Sequence, residues 1–386
     1  MNIVCLAGCD WTATWQPTQE IMTRLAEQGH RILYVDPTGT RTLGWSDWQR
    51  VWHRLKAKWF HSYPTTAYRG YGLREEVLRI QHHEHITLYH PLMLPFPCSR
   101  LATNINWMIV NERLKKWLSG GTLDVVWCWF PSPLNASLMG GWKILHPSVM
   151  AIYQIMSTIT AVRGHIMHAA ELDMLNRAAL VFVNSDGLKK QVQARSANVH
   201  LFRAGVDTTL FDPTNPKWIG GYSKERPHDL PTGKPLIGYV GAIHEWFDAD
   251  LWLALMNRLP QYDFVEITKK SHSVLPLYIH YFDVCVIPYR RTAYTETSFP
   301  AKLHEYLAMG KPVVATRTAE LEAYEKETGI NLLLSTGVDE WMVNIKKAVE
   351  HRMPEQKHQR RFAAIQHDYS PMVDRMLVLI NEQRPA

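Results

Sequence analysis

The sequence predicts an α/β protein built from two parallel-sheet domains, on three observations. Short apolar runs alternate with helix-length amphipathic segments along nearly the whole chain, the pattern of sheets covered by helices. Its 386 residues exceed one comfortable core. The alternation breaks once, in a stretch rich in proline, glycine and charge between Asp207 and Pro235, and then resumes.

NIVCLAG (2–8) reads as a first buried strand, 17–30 as an amphipathic helix ending at Gly29, and RILYVDP (31–37) as the second strand of a βαβ unit. Further strands are expected at 85–90, 123–130, 149–155, 179–185 and 198–202, with helices between them. After the break come strands at 236–242, 262–268 and 283–289, a helix over 248–259 and a short one near 275–282. A strand at 331–335 follows, then helices over 338–351 and 354–366 and a last amphipathic helix beyond Ser370-Pro371. The domains expected are 1–207, joined by the terminal helix 370–386, and 236–369, with 208–235 as linker.

The chain is 46% apolar and 20% charged, a globular composition that does not indicate disorder. Its five cysteines are scattered, and most sit in apolar runs such as VVWCWF, as reduced thiols do in a cytosolic protein. No leader peptide opens the chain and no apolar stretch is long enough to span a bilayer, so a cytoplasmic protein, soluble or held at the inner membrane face, is expected. The net charge of +6 suits anionic partners and chooses none. Nucleic acid has nothing but that charge to recommend it. A nicotinamide oxidoreductase is disfavoured, because the first βα turn, GCDWTATWQP, lacks G-x-G-x-x-G.

The most informative stretch is TSFPAKLHEYLAMGKPVVAT, 297–316. It follows the strand DVCVIPY and a polar loop, and it predicts a helix with proline in its first turn and glycine at its end. In open parallel sheets, ligands bind beyond the carboxyl ends of strands, where helix N-termini offer N–H groups to phosphate. Lys302 lies where it would pair with such phosphates. Glu305, about one turn on, would accept hydrogen bonds from the vicinal hydroxyls of a sugar; the plain alternative is a solvated Lys–Glu pair.

SFPAKLHEYLAMGKPVVAT resembles the donor-nucleotide motif of the retaining GT-B glycosyltransferases, especially the glycosyltransferase family 4-like branch that builds bacterial surface polysaccharide, including teichuronic-acid-type enzymes. YVGAIHEWFDADLW, DVCVIPY, AALVFVNSDGLKKQ and FRAGVDTTLF resemble other segments of that branch, in the right order and over most of the chain. The resemblance implies two Rossmann-like domains facing a cleft, with the C-terminal helix crossing back to the first domain. It implies a sugar transfer from a nucleoside-diphosphate sugar to a glycan or lipid-linked acceptor, with no cofactor and no metal. The acceptor would lie on the first domain and the donor on the second. Thr297, Ser298, Phe299, Pro300 and Ala301 would hold the diphosphate, Lys302 would neutralise it, Glu305 would bind the ribose, and Gly241 and Ala242 would allow close approach of the diphosphate.

Two positions depart from the family pattern. Thr297 stands where relatives often have a glutamate near the donor sugar, with Glu296 one place earlier, and Tyr153-Gln154-Ile-Met-Ser157 stands where many have Tyr-Asp and a second aspartate. The span between GYVGAI and DVCVIPY also has room for one strand where relatives fit two, and Lys269 and Lys270 in it are read as a solvated turn.

On the acceptor side, Asp10 in the loop after the first strand and His244 or Glu245 in GAIHEW are the candidates to orient substrate or act as base, against a plain reading as turn and cap residues. The histidine run QHHEHITLYH (81–90) has no helical metal-pair spacing and reads as a polar loop entering a strand. Trp45, Trp48, Trp52, Leu55 and Trp59 recur at helical spacing among Arg50, Arg54, Lys56 and Lys58. Such a helix suits either a lipid interface, as a peripheral membrane contact over 45–60, or packing on its own domain. Two rivals to a transferase stand beside it: a sugar-nucleotide-binding pseudoenzyme, and a nucleotide-sugar epimerase of the same fold.

Overall fold

The computed structural model describes residues 1–37, 66–68, 82–158, 160–214, 225–268, 270–351 and 356–384. The tryptophan-rich 45–60 segment, Lys269 and the middle of the expected linker, 215–224, lie outside the described residues.

The first lobe holds β1 (Asn2–Leu6), α1 (Pro17–Glu27), β2 (Arg31–Val35), β3 (Thr66–Tyr68), β4 (His82–Tyr89), α2 (Arg100–Leu118), β5 (Val125–Cys128), α3 (Pro133–Leu145), β6 (Met150–Ile155), α4 (Thr160–Arg177), β7 (Leu180–Val183), α5 (Asp186–Val192) and β8 (Val199–Leu201). Its sheet runs β3-β4-β2-β1-β5-β6-β7-β8, parallel throughout except for antiparallel β3 at the edge. The histidine run enters the sheet earlier than expected, since β4 begins at His82. Local chemistry sets the helix starts. Pro17 and Pro133 occupy first turns, and the Ser132 and Ser185 hydroxyls accept from Asn135 N and Leu188 N.

The second lobe holds β9 (Leu236–Val240), α6 (Ala249–Arg258), β10 (Asp263–Ile267), α7 (Leu275–Tyr281), β11 (Val284–Ile287), α8 (Ala293–Thr297), α9 (Lys302–Ala308), β12 (Val313–Thr316), α10 (Ala319–Thr328), β13 (Leu333–Ser335), α11 (Val338–His351) and α12 (Lys357–Ile365). Its five strands are all parallel, in the order β10-β9-β11-β12-β13. A single strand, β10, lies between β9 and β11 in the chain and forms the sheet edge. The described parts of the expected linker are packed on this lobe. Leu210, Phe211 and Leu230 are buried in its core, and Asp207 accepts hydrogen bonds from the amides of Thr209 and Leu210.

The final helix, α13 (Tyr369–Gln383), returns to the first lobe. Tyr369, Met372, Val373, Met376 and Ile380 are buried in one cluster with Ile3, Ile21 and Leu25, and Gln28 bonds Asp374 at 2.8 Å. The outgoing and returning chains touch at the crossing. Val206 N donates to the His367 carbonyl at 3.0 Å and Tyr369 N to the Val206 carbonyl at 3.2 Å. A Cβ on Gly205 would stand 2.8 Å from the His367 carbonyl and 2.9 Å from the Tyr369 ring, so only glycine lets the two chains pass this closely.

Beside the crossing, buried Arg203 meets Asp186 at 2.5 Å, Glu320 at 3.3 Å and Glu327 at 2.7 Å, joining α5 of the first lobe to α10 of the second. Glu320 also accepts from the amides of Asp186 and Gly187, the first turn of α5. Next to Arg203 lies a neutral histidine pair. His304 Nδ1 donates to the Ala204 carbonyl at 2.5 Å, its Nε2 accepts from the Tyr324 hydroxyl at 3.0 Å, and its ring stacks on His367 at 4.2 Å.

Burial holds His304 well below the usual imidazole range, with His367 adding to the effect; burial, then Arg203 and Arg375, lower His367 to about 4. Both rings stay uncharged in the folded protein while the unfolded chain protonates them below about pH 6.5. Their contribution is therefore present above that pH and lost as pH falls towards 4, on the order of 2–3 kcal/mol for His367 alone. Urea denaturation should give a lower stability at pH 4.5 than at pH 7, and His367→Phe should shrink the difference.

Candidate functional site

The loops leaving β9 and β11 meet the approach to α9 around a cavity of about 210 Å3. Its walls are Ala242, His244, Trp246, Tyr289, Tyr294, Thr295 and the run Ser298, Phe299, Pro300, Ala301, Lys302. Lys302 Nζ donates to the hydroxyls of Tyr289 at 2.8 Å and Tyr239 at 3.0 Å, and lies 4.3 Å from the centre of the Tyr239 ring. Burial pushes both phenols above their ordinary range, so both stay uncharged at neutral pH. Among the described residues no carboxylate bonds this ammonium, and its charge stands uncompensated at the cavity wall.

Gly241 makes the approach possible. Its φ of 123° lies in the left-handed region, and a Cβ there would come within 3.1 Å of Lys302 Nζ. The Tyr306 hydroxyl accepts from Val240 N at 2.8 Å and ties the end of β9 to α9. Ser298 Oγ is buried and has no hydrogen-bond partner among the described residues. Trp246 stacks on Tyr294 at 4.8 Å and lies 4.6 Å from the His244 ring, so aromatic rings line one side. Burial, helped by nearby Lys302, lowers the His244 pKa and favours its neutral form.

The helix expected over 300–310 is shorter. It begins at Lys302 and spans seven residues, so the site depends on the Lys302 ammonium and the backbone before it more than on a helix dipole. Glu305 is outside the cavity walls. Its Oε1 is 2.8 Å from His272 Nε2, and the Phe211 ring lies 5.2 Å from the imidazole. Burial opposes a charge on His272, but the hydrogen bond and charge of Glu305, with Glu20 and Asp207 beyond it, raise its pKa overall.

Thr297 also stays out of the cavity. It faces the first lobe, its hydroxyl 2.6 Å from that of Thr158 and its carbonyl accepting from the Ser185 hydroxyl. Glu296 is engaged by Arg291 at 2.7 Å and by Ala319 N at 2.9 Å. Glu245 is exposed and Asp10 sits in the first-lobe loop after β1; neither lines the cavity. The sequence reading overlooked Tyr239, Tyr289, Trp246, Tyr294 and His272. Tyr289 had a signal, since it falls at the end of a predicted strand, where site residues of parallel sheets collect.

Residues 248–351 match the family model described as glycosyl transferases group 1. The whole chain superposes on sucrose-phosphate synthase from Thermosynechococcus elongatus with a TM-score of 0.69 at 14% identity, covering 99% of this chain and 98% of that one. The chain has the GT-B fold. The Anabaena protein HepE in complex with UDP shares this GT-B architecture, with a TM-score of 0.63 at 12% identity over 99% of this chain and 100% of that one. In sequence, the chain is 24% identical over 243 residues to a putative teichuronic acid biosynthesis glycosyltransferase of Bacillus subtilis (strain 168). The match takes in 54% of this chain and spans 59% of that relative's length.

Gly241→Ala should destabilise the GT-B chain by about 1–3 kcal/mol through the left-handed backbone alone. The added methyl also crowds Lys302 Nζ at 3.1 Å. Urea denaturation of the variant against the parent measures the loss.

Proposed function

We propose that this protein transfers a sugar from a nucleoside-diphosphate sugar to a hydroxyl of a glycan or lipid-linked acceptor, in cell-surface polysaccharide synthesis at the cytoplasmic membrane face. The observation that carries the reading is the Lys302 ammonium, held by two neutral phenols at the wall of a cavity beyond the carboxyl ends of β9 and β11. An uncompensated cation in an enclosed, aromatic-walled space favours a polyanion, and a diphosphate fits that description.

In the transfer, the bond between the anomeric carbon and the diphosphate oxygen breaks, and the electron pair leaves with the nucleoside diphosphate. The acceptor oxygen bonds the anomeric carbon and gives up its proton. Lys302 stabilises the charge that grows on the leaving group, and the Ser298 hydroxyl donates to it, so the step calls on no metal. A buried hydroxyl without a partner costs about 1–3 kcal/mol, which a ligand oxygen would recover. Gly241 and Ala242 let the diphosphate approach the backbone. The Phe299–Ala301 backbone shapes the entry, and Glu305, steadied by His272, binds the ribose hydroxyls through its second oxygen. His244 is the catalytic candidate that lines the cavity, and its neutral form suits a proton acceptor. Asp10 and Glu245 keep their candidacy only if the lobes close on substrate.

The likeness to the teichuronic acid relative supports the polysaccharide setting. Among the described residues no helix is long and apolar enough to cross a membrane. A sugar-nucleotide-binding partner without turnover is the second reading, favoured by one observation: Glu296 is committed to Arg291 and Ala319, which leaves no carboxylate at the donor-sugar position.

Thermal melting with UDP, GDP and ADP tests the reading. One nucleotide at about 100 times its Kd should stabilise the fold by about 2.7 kcal/mol, a rise of a few degrees in Tm. Lys302→Met should abolish the rise and Glu305→Ala should diminish it; no rise with any nucleotide overturns the reading. Donor turnover with cell-envelope acceptors then separates the transferase from the non-catalytic partner.

A further inference from the structure

The candidate pocket is not held in shape by the second lobe alone. Its lining segment before α9 turns one side to the cavity and the other to the first lobe. The Ser185 hydroxyl donates to the Thr297 carbonyl, and the Asn184 side-chain amide donates to the Phe299 carbonyl at 3.3 Å. The Thr297 hydroxyl donates back to the carbonyls of Ala293 and Tyr294, at 3.1 and 3.2 Å, which uses its one proton. In its 2.6 Å contact with Thr158 the Thr158 hydroxyl is therefore the donor. Three side chains that follow β6 and β7 thus grip two consecutive turns of the pocket's backbone.

These anchors are themselves fixed. Asn184 is 3% exposed and Ser185 is fully buried. The second amide hydrogen of Asn184 goes to the Met156 carbonyl at 3.3 Å, and its oxygen accepts from Ala204 N at 2.7 Å. One side chain so joins the end of β6, the lobe crossing and the pocket loop. The Ser185 hydroxyl also accepts from Leu188 N at 3.1 Å, as the cap of α5. The first turn of α5 lies close against the loop, since a Cβ on Gly187 would come within 3.2 Å of the Thr297 side chain.

Between the two gripped carbonyls stands Ser298, in extended conformation with φ −109° and ψ 131°. Its Oγ is buried and has no hydrogen-bond partner among the described residues. The backbone has two soft dihedrals per residue, so anchoring the peptide units before Ser298 and after Phe299 leaves the serine side chain little freedom to turn. A contact that only held the lobes together could fall anywhere along their boundary. These bonds flank the one residue of the lining whose hydroxyl is left for a ligand.

We propose that Asn184, Ser185 and Thr158 are positioning residues of the pocket, acting through the 297–299 backbone to aim the Ser298 hydroxyl at a bound diphosphate. The first lobe then sets the affinity of a site whose walls all belong to the second, and a shift of one lobe against the other loosens the grip on the ligand. The assignment rests on the diphosphate reading of the pocket and adds what controls it.

Two measurements on the full chain test it. In the absence of nucleotide, Ser185→Ala and Thr158→Val should each raise hydrogen–deuterium exchange at the amides of 298–302. Loss of the α5 cap in Ser185→Ala shows separately, as exchange at 186–189, and Thr158→Val leaves that cap intact. The second measurement is a double-mutant cycle on the Kd of whichever of UDP, GDP and ADP raises the melting temperature most. Ser185→Ala and Ser298→Ala should each weaken binding about fivefold to tenfold, and the double variant no further than the weaker single one. Exchange at 298–302 unchanged in both variants overturns the proposal. So does parental affinity in either serine variant, or losses that multiply in the double variant, which would mean that Ser185 does not act through Ser298. Raised exchange in a protein that binds none of the nucleotides instead removes the diphosphate reading and leaves the first lobe as the anchor of the loop.

Discussion

The geometry of this molecule depends on the place where the chain crosses between its lobes twice in contact with itself. Val206 and Asp368 lie side by side there, Gly205 passes beneath Tyr369, and each strand of the crossing satisfies backbone groups of the other. Two covalent connections that hydrogen-bond to each other act as one short joint. Their contact limits how far the carboxyl edges of the two sheets can move apart, and the candidate pocket lies on the edge of the second. Arg203, its three carboxylates and the neutral His304–His367 stack fill the space beside the joint. Breaking one partner of such a buried charge group leaves the others without compensation, which makes the joint costly to open by local unfolding.

Around the cavity, carboxylates that the family pattern would direct at substrate are used for structure. Glu296 holds the start of α10, and Glu305 shares an oxygen with His272. What remains at the wall is cationic and aromatic: Lys302 with its phenols, His244, Trp246 and Tyr294. The cavity wall therefore offers charge and flat surfaces more than acid–base groups.

Much of the fold was legible because a parallel sheet buried on both faces leaves uninterrupted apolar runs. VVWC and LVFV announce themselves, and the strands fell where those runs stand. In the expected linker 208–235, the burial of Leu210, Phe211 and Leu230 was not legible for the converse reason: a few anchors among prolines and charges have no periodicity to detect. In the site, Lys302 was legible from its place after a strand. The Tyr239 half of its cage was not, because a contact between residues 63 apart in sequence depends on strand order.

Holding an ammonium with phenols instead of a carboxylate has an effect on how the cavity behaves when no substrate is present. A carboxylate would form an internal ion pair that an incoming anion must first disrupt. Phenolic oxygens cancel none of the charge, so the vacant pocket draws in whatever small anions the medium holds. Sulfate and phosphate become competitors of any anionic ligand, and the apparent strength of its capture is then a property of the surrounding electrolyte as much as of the protein.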